Sequence, residues 1–213
     1  VYVTKPGSGI SALVYYSDDG VNWNQGSLPD FLIDSEKNGG TFIFLNQSIL
    51  CYGNGTFMLG EGRYTVNGKG GYRNIYSTDG ITWQFGGYLP TTNGTDWAHI
   101  CYAQGRFLAV SYYSNCAALS YDGVTWSSVK LPSKEYWNWL TASDAKFVVI
   151  GWDSSSKLIC LYSPNGTTWK ATSAGLESIK YSSIASCFYA TGKFFLFTKN
   201  GVYCLKDTFN SWA

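Results

Sequence analysis

The sequence predicts an all-β protein of the β-propeller class, and three observations lead to that prediction. The chain is poor in charge and rich in aromatic residues, a tryptophan motif recurs at a fixed interval, and a second motif alternates with it. Charged residues make up 14% of the 213 residues, against about 25% in an average soluble domain. An aromatic content of 18% together with 24 glycines argues against disorder and against a long helical bundle.

The charge distribution and the lack of a long apolar run argue against two classes of partner, nucleic acids and membranes. Fifteen basic residues face fourteen acidic ones, which gives a net charge of +1, and the lysines are scattered along the chain. A nucleic-acid-binding surface needs clustered basic residues, and a membrane span needs a long apolar run. The sequence therefore predicts neither nucleic-acid binding nor membrane insertion.

The tryptophan motif is the strongest signal in the sequence. It reads Y-Y-S-D-D-G-V-N-W, I-Y-S-T-D-G-I-T-W, A-L-S-Y-D-G-V-T-W and L-Y-S-P-N-G-T-T-W, followed by a degraded copy, C-L-K-D-T-F-N-S-W. The motifs end at Trp23, Trp83, Trp126, Trp169 and Trp212. From Trp83 onward the interval is 43 residues, whereas the first interval is 60. A fixed period of this length is typical of a repeat protein.

A second motif between the tryptophans completes the repeating unit. In I-L-C-Y-G-N-G-T-F-M-L-G and its counterparts, two short apolar runs flank a tight turn, which predicts a β-hairpin. One unit then contains strands A and B, a variable connection, strand C, the D-G turn, and a strand D that ends at Leu-Pro. Four short strands in about 43 residues is the composition of a propeller blade.

We therefore predict one propeller domain over residues 1–213, with five blades of four antiparallel strands. The first blade lacks strand A and the last lacks strand D, so we expect a piece of a longer protein, in which six or seven blades are also open. The acidic or amide residue of each motif should accept hydrogen bonds from turn N–H groups, and the glycine after it should supply a positive φ. The turn acceptors are Asp19, Asp79, Asp122 and Asn165. The motif tryptophans should be buried between neighbouring blades.

The S-x-D-G-x-T-W segments resemble the Asp-box, S-x-D-x-G-x-T-W, which recurs in sialidase-like propellers at turns remote from the active site. The whole chain resembles propeller repeats of bacteriophage tail-fibre and receptor-binding proteins. This resemblance implies a tail or baseplate protein of a virion, assembled in the host cytoplasm. It also implies a host-surface glycan as ligand, other tail or fibre subunits as partners, and a homotrimer.

The variable connections are the predicted location of a binding site. The A–B and C–D turns are short and should share one face of the propeller, with the D–A and B–C connections on the other. The additional residues before Trp83 fall into Asp30–Gln47, a predicted D–A connection, and Glu61–Asn74, a predicted B–C loop. Variable loops on a rigid scaffold are where binding residues concentrate.

Aromatic side chains in these connections predict carbohydrate binding, because flat rings suit the C–H faces of sugars while polar neighbours bind the hydroxyls. The candidate ligand-binding residues are Tyr72, Arg73, Asp96, Trp97, Tyr112, Trp137, Trp139 and Trp152. Trp97 and Trp137 each lie ten residues before the Phe of strand B and should be equivalent. For these two, packing between blades is an open alternative.

No catalytic residue, cofactor or metal site is predicted. The chain holds three arginines, Arg63, Arg73 and Arg106, and Arg106 belongs to a turn on the face opposite the variable connections, so a sialidase arginine triad is excluded. Asp96 and Glu135 are a carboxylate pair or part of a polar rim. The single histidine, His99, is expected to be structural, and the six cysteines to be buried free thiols. The predicted function is a non-catalytic host-surface carbohydrate-binding module; a structural or protein-docking propeller and a glycan-cleaving hydrolase are the alternatives.

Overall fold

The computed structural model describes residues 2–4, 13–28, 40–44, 50–66, 69–90 and 97–206. These residues form antiparallel β-sheets, and their one helical element is a three-residue 3-10 turn at Tyr181–Ser183. No helix in these ranges is long or apolar enough to cross a membrane. The predicted all-β class is confirmed.

The strands form five successive units, which we number blade 1 to blade 5. Blade 1 contains β1 (Tyr2–Thr4), β2 (Leu13–Tyr16) and β3 (Asn24–Gln25); blade 2 contains β4 (Gly40–Phe44), β5 (Leu50–Gly53), β6 (Thr56–Val66), β7 (Lys69–Ser77) and β8 (Gln84–Leu89). Blade 3 contains β9 (Trp97–Ala103), β10 (Arg106–Ser111), β11 (Tyr113–Ser120) and the first part of β12 (Ser127–Ala142). Blade 4 contains the rest of β12, β13 (Phe147–Trp152), β14 (Leu158–Ser163) and β15 (Lys170–Thr172). Blade 5 contains β16 (Ile184–Ala190), β17 (Lys193–Thr198) and β18 (Gly201–Lys206).

In blades 1, 3, 4 and 5 successive strands pair in the order of the chain, as the sequence predicts for propeller blades, whereas in blade 2 both β4 and β5 pair with β6. Strand B is the first described strand of blade 1, and strand C is the last described strand of blade 5. The number of blades in a complete ring stays a prediction.

Blades 3 and 4 share one strand, which corrects the prediction that strand D ends at Leu-Pro. β12 pairs with β11 over its first residues and with β13 over its last ones, so the two blades form a single seven-stranded sheet. Pro132 lies where the β11–β12 register jumps from Lys130 to Glu135. The missing N–H of a proline is tolerated at such an interruption of the ladder.

The insertions of blade 2 form strands, which corrects the prediction of a B–C loop at Glu61–Asn74. β6 and β7 continue as a paired hairpin out to Val66 and Lys69. Of the other insertion, Asp30–Gln47, residues 40–44 are described, and they pair as β4 with the outer half of β6. The described parts of the two insertions thus lie together.

Within the described ranges, the core forms four hydrophobic clusters, each between two successive blades. Alternate residues of a strand point to opposite faces of a sheet, so a strand that lies between two neighbouring blades can contribute to two clusters. On β13, Phe147 and Val149 pack toward blade 3, whereas Val148 and Ile150 pack toward blade 5.

The turns of the tryptophan motif are closed by the hydrogen bonds that the sequence predicts. Oδ1 of Asp122 accepts the N–H groups of Val124 at 2.8 Å and Thr125 at 2.7 Å. Oγ of Ser120 donates to Asp122 and accepts the N–H of Gly123. The turns at Asp19 and Asp79 repeat the pattern, and Asn165 supplies an amide oxygen instead. The glycine of each turn has a φ of 74° or 75°.

The motif tryptophans pack against the blade that precedes them. Trp83, 3% exposed, lies in the cluster between blades 1 and 2 with Val14 and Leu28. Trp126 and Trp169 are half-buried against the next two clusters. Trp23 is 48% exposed, which corrects the prediction that all these rings are buried, because its blade is the first of the described series. Trp212 lies outside the described residues.

Close backbone contacts also hold neighbouring blades together. The N–H of Ser27 donates to the carbonyl of Ile81 at 2.8 Å, and the N–H of Trp83 donates to the carbonyl of Ser27 at 3.0 Å. Between blades 2 and 3, a Cβ added at Gly87 would lie 1.6 Å from the carbonyl oxygen of Val124. Only a residue without a side chain fits there.

We predict that Gly87→Ala lowers the free energy of unfolding by about 1–3 kcal/mol, because the methyl group forces blades 2 and 3 apart. The measurement is urea unfolding followed by tryptophan fluorescence. Ser128→Ala, at an exposed strand position, is the control and should stay within about 0.5 kcal/mol of the unsubstituted chain. Equal stability of Gly87→Ala and the control would contradict the inferred contact.

We also predict an acid dependence of stability that the turns create. Hydrogen bonds from turn N–H groups lower the pKa of Asp79 and Asp122 from 3.8 to about 2, and the pKa of Asp19 is lowered as well. A carboxyl whose pKa is depressed in the folded state stabilises the fold above its unfolded pKa and loses this effect as the pH falls through the folded pKa. Stability should therefore decline between pH 3.8 and about 2.

The triple variant with Asp19→Asn, Asp79→Asn and Asp122→Asn should keep the turns, as Asn165 does, and show a weaker acid dependence. Urea unfolding across this pH range measures both chains. Identical pH profiles would show that these carboxylates do not cause the acid dependence.

Candidate functional site

Six aromatic side chains from blades 3, 4 and 5 meet at the end of the blades opposite the tryptophan-motif turns. We call them the aromatic cluster: Tyr112, Tyr113, Tyr136, Trp139, Trp152 and Tyr181. They come from the B–C connections of blades 3 and 4, from β12, and from the 3-10 turn before blade 5.

Four rings of the cluster form a continuous stack. The ring centroids of Tyr113 and Tyr136 are 4.2 Å apart, those of Tyr136 and Trp152 are 5.6 Å apart, and those of Trp152 and Tyr181 are 4.6 Å apart. Their planes differ by 10° to 21°. Trp139 leans against Trp152 at 5.7 Å, and Tyr112 meets both central rings edge-on.

The unbroken strand β12 creates this stack. Tyr136 is the residue at which β12 pairs with both neighbours, opposite Tyr113 on β11 and Trp152 on β13. Directly opposed residues on adjacent strands place their side chains side by side, so the three rings stack across the sheet. The turn after Trp152 is closed by Asp153, whose Oδ1 accepts the N–H groups of Ser155 and Lys157.

Charge and hydroxyl groups line the exposed end of the stack. The ammonium of Lys134 lies 4.5 Å from the ring centroid of Tyr113, a favourable cation–π distance. Interaction with Tyr113 raises the pKa of Tyr136, with burial, a hydrogen bond between the two hydroxyls and the nearby Tyr112 as lesser causes. The Tyr136 hydroxyl therefore stays protonated at neutral pH and offers both a donor and an acceptor.

The stack changes how the cluster can bind a ligand. Faces inside the stack cover one another, so the cluster presents ring edges and hydroxyls, with Tyr113 as its one exposed member. A preformed array of hydroxyls beside apolar ring edges suits a polyhydroxylated molecule with C–H groups. The sequence predicted that flat ring faces would contact a sugar, whereas the structure presents mainly ring edges and hydroxyls.

Three of the predicted site residues, Tyr112, Trp139 and Trp152, lie in this cluster. Trp97 and Trp137 do not, because both are completely buried, which corrects the expectation that they face a ligand. They are equivalent, as predicted, since each is paired at the same point of its blade, Trp97 with Ser111 and Trp137 with Gly151. Their role is packing between blades.

Tyr72 and Arg73 lie apart from the cluster, on β7 of blade 2. Tyr72 packs on the core between blades 2 and 3. The guanidinium of Arg73 donates twice to the carbonyl of Gly86, at 3.1 and 2.9 Å, and lies over the rings of Phe85 and Tyr88. The guanidinium of Arg73 therefore contacts residues of its own blade, and this arrangement does not agree with the prediction that Arg73 contacts a ligand.

The predicted carboxylate pair stays untested, because Asp96 lies outside the described residues. Glu135 is half-buried and pairs with Ser114, next to Tyr136 of the cluster. The described ranges contain no group of three histidine, cysteine or acidic side chains that could hold a metal ion.

His99 and the cysteines are structural in this fold. Burial lowers the pKa of His99 to about 4, so the ring is neutral, and neither ring nitrogen has a hydrogen-bond partner among the described residues. All six cysteines are free thiols, as predicted, but only Cys51 and Cys160 are buried, and the other four are half-buried. Burial raises the pKa of Cys51 to about 12.

The sequence did not single out three members of the cluster, Tyr113, Tyr136 and Tyr181, or Lys134 beside them. The three tyrosines do lie in the aromatic-rich connections, and this position was the feature of the sequence that could have identified them. It also missed Asn74, a buried amide that donates to the carbonyl of Gly123 and accepts from the indole of Trp126.

Solved structures similar to this chain are β-propeller proteins. YCF48 from Cyanidioschyzon merolae is 11% identical over 95% of this chain and 63% of its own, with a TM-score of 0.54. An N224Q mutant of the Aleuria aurantia lectin in complex with alpha-methyl-L-fucoside is 14% identical over 95% of this chain and 68% of its own, with a TM-score of 0.53. A K499G mutant of the NanB sialidase from Streptococcus pneumoniae is 15% identical over 97% of this chain and 38% of its own, with a TM-score of 0.52.

These likenesses establish the propeller fold, and the presence of both a lectin and a sialidase among them illustrates that a fold does not fix a function. The chain spans less than two thirds of YCF48. No protein-family model matches the chain, and no curated protein matches it.

We predict that substitution by Phe lowers the free energy of unfolding by different amounts at the two buried tryptophans, Trp97 and Trp137. The indole N–H of Trp137 donates to the carbonyl of Ser114 at 2.9 Å, whereas that of Trp97 has no partner among the described residues. Trp137→Phe should therefore cost about 1–3 kcal/mol more than Trp97→Phe, since it leaves a buried carbonyl without its donor. Urea unfolding of the two variants measures the difference, and equal costs would contradict this assignment.

Proposed function

We propose that this chain is a non-catalytic carbohydrate-binding propeller module and that the aromatic cluster is its glycan-binding surface. The observation that best supports this proposal is the aromatic cluster. It is a rigid stack of Tyr and Trp rings with hydroxyls and one lysine at its edge, and it lies on the face of the variable connections. The fucoside-bound Aleuria lectin supports a carbohydrate ligand at the level of the propeller class.

The chemistry of the cluster favours a sugar over a purely apolar ligand. Tyrosine hydroxyls bind and release hydroxyl groups by exchanging hydrogen bonds with water, while ring edges contact the C–H groups of a pyranose. Tyr136 holds its hydroxyl beside that of Tyr113, and Lys134 adds a charged donor. Preorganisation by stacking reduces the entropy that binding must overcome.

The biological setting belongs to the same proposal and rests on the repeat resemblance. It is a tail or baseplate protein of a phage-type virion, assembled in the host cytoplasm, associated with other tail or fibre subunits as a homotrimer and directed at a host cell-surface glycan. Several weak sites acting together would then give a stable attachment.

The test is binding of the purified chain to a panel of glycans that includes fucosides and bacterial cell-wall saccharides, with release of reducing ends followed in parallel. We expect saturable binding to at least one glycan and no release of reducing ends. Tyr113→Ser should weaken binding about tenfold, a loss of about 1.4 kcal/mol.

Tyr121→Ser is the matched control, because Tyr121 is 63% exposed in a tryptophan-motif turn at the opposite end of the blades. Its affinity should stay unchanged. The proposal is overturned if no glycan binds, or if Tyr113→Ser binds as the unsubstituted chain does. Release of reducing ends would favour a hydrolase using Glu135 and Asp96.

A further inference from the structure

An irregularity that repeats in strand A places an asparagine beside the aromatic cluster. In blades 3, 4 and 5, strand A (β9, the last part of β12, and β16) contains one residue more than the segment of strand B that it pairs with. Such an additional residue is a β-bulge. The bulge residues are Ala98, Asn138 and Ala185, so among these three blades only blade 4 has a polar side chain at this position.

The bulge in blade 4 directs Trp139 into the aromatic cluster. Residues two apart on a regular strand point to the same face of the sheet. Here Trp137 pairs with Gly151, whereas Trp139 pairs with the adjacent residue Ile150. The two indoles therefore lie on opposite faces, Trp137 toward blade 3 and Trp139 toward blade 5. Asn138 lies between them in the chain.

The fold does not use the carboxamide of Asn138. Asn138 is half-buried, and its side chain makes no hydrogen bond within the described ranges. By contrast, the amides of Asn74 and Asn165 bind backbone groups of the tryptophan-motif turns. The alanines at 98 and 185 indicate that the bulge itself does not require an amide. The carboxamide of Asn138 can therefore exchange hydrogen bonds between water and a ligand.

We propose that Asn138 is a ligand-contacting residue of the glycan-binding surface and that it selects a pyranose with two free neighbouring hydroxyls. The inference rests on the proposed carbohydrate-binding function, and it adds the residue and the part of the sugar that the residue recognises. A carboxamide holds an acceptor oxygen and a donor nitrogen side by side. Oδ1 of Asn138 accepts a hydrogen bond from one hydroxyl, and Nδ2 donates to the oxygen of the next.

This contact defines a chemical class of ligand. Two neighbouring hydroxyls of a pyranose are gauche unless both are axial, and gauche oxygens lie close enough for one carboxamide to bind both. A sugar that lacks either hydroxyl loses one of the two hydrogen bonds. Asn138 thus discriminates by the presence of the pair, while the ring edges of the aromatic cluster contact the C–H groups of the sugar.

The backbone on both sides of Asn138 is held in place. The N–H of Trp137 donates to the carbonyl of Tyr112 at 2.7 Å, which ties β12 to the B–C connection of blade 3. On the other side, Trp139 is paired with Ile150 in the sheet and packed on Trp152. Because its neighbours are fixed, Asn138 loses less conformational entropy on binding than a residue in an open loop would.

The test compares Asn138→Ala with the unsubstituted chain by titration calorimetry. The probes are methyl α-L-fucoside and every other glycan of the panel that binds, each together with its monodeoxy analogues. Asn138→Ala should weaken binding of the parent glycan about tenfold, because two hydrogen bonds are lost. Removal of either of two neighbouring hydroxyls should weaken binding to the unsubstituted chain and bring the two chains within about threefold of each other, as in a double-mutant cycle.

Asn24→Ala, at an exposed position of β3 in blade 1, is the matched control and should bind every glycan as the unsubstituted chain does. Circular dichroism confirms the fold of each variant, and Asn138→Ser replaces Asn138→Ala if the latter does not fold.

The possible failures of this inference and of the proposed function are distinct. If a glycan binds the unsubstituted chain and Asn138→Ala equally well, this inference is overturned and the proposed function stands. An equal loss for the parent glycan and for all its monodeoxy analogues also overturns it, because Asn138 would then act only through the shape of the surface. If no glycan binds the unsubstituted chain, the proposed function fails, and this inference fails with it.

Discussion

The packing of Trp83, Trp126 and Trp169, each on the blade before it, is the interaction on which the rest of the structure depends. A four-stranded sheet has two apolar faces and cannot bury both alone, so a blade is stable only between neighbours. The D-G turn fixes the geometry, since Asp79 and Asp122 hold two N–H groups each and the following glycine has a positive φ. The turn thereby aims Trp83 into the preceding cluster, and glycines such as Gly87 let the backbones approach.

The packed blades position the aromatic cluster at the end opposite the tryptophan-motif turns. Because β12 passes without a break from blade 3 into blade 4, Tyr136 is held between Tyr113 and Trp152 on neighbouring strands. The resulting stack spans three blades. The members of the aromatic cluster are thus brought together by strand register, whereas the described parts of the blade 2 insertions extend their own sheet.

The repeat could be predicted from sequence because the turn residues act locally: Ser, Asp and Gly close the turn within six residues, and their spacing is visible in the sequence. The equivalence of Trp97 and Trp137 followed from the same period, but their burial depended on how far strand A extends into the interface. The composition of the cluster could not be predicted, since it depends on the register of β11, β12 and β13 and on β12 continuing past Pro132. Arg73 looked available for a ligand because its cross-strand partner Tyr88 and the nearby ring of Phe85 were not visible as neighbours in the sequence.

The most direct test of the central claim, that the aromatic cluster binds glycan, uses the indole N–H signals of the chain's nine tryptophans. A 15N-labelled chain is titrated with a saccharide from the panel, and each indole signal is assigned by substitution. We predict that the signals of Trp139 and Trp152 shift saturably while those of Trp83, Trp97 and Trp137 stay in place. Saturable shifts confined to tryptophans outside the cluster would place the glycan elsewhere and contradict the account.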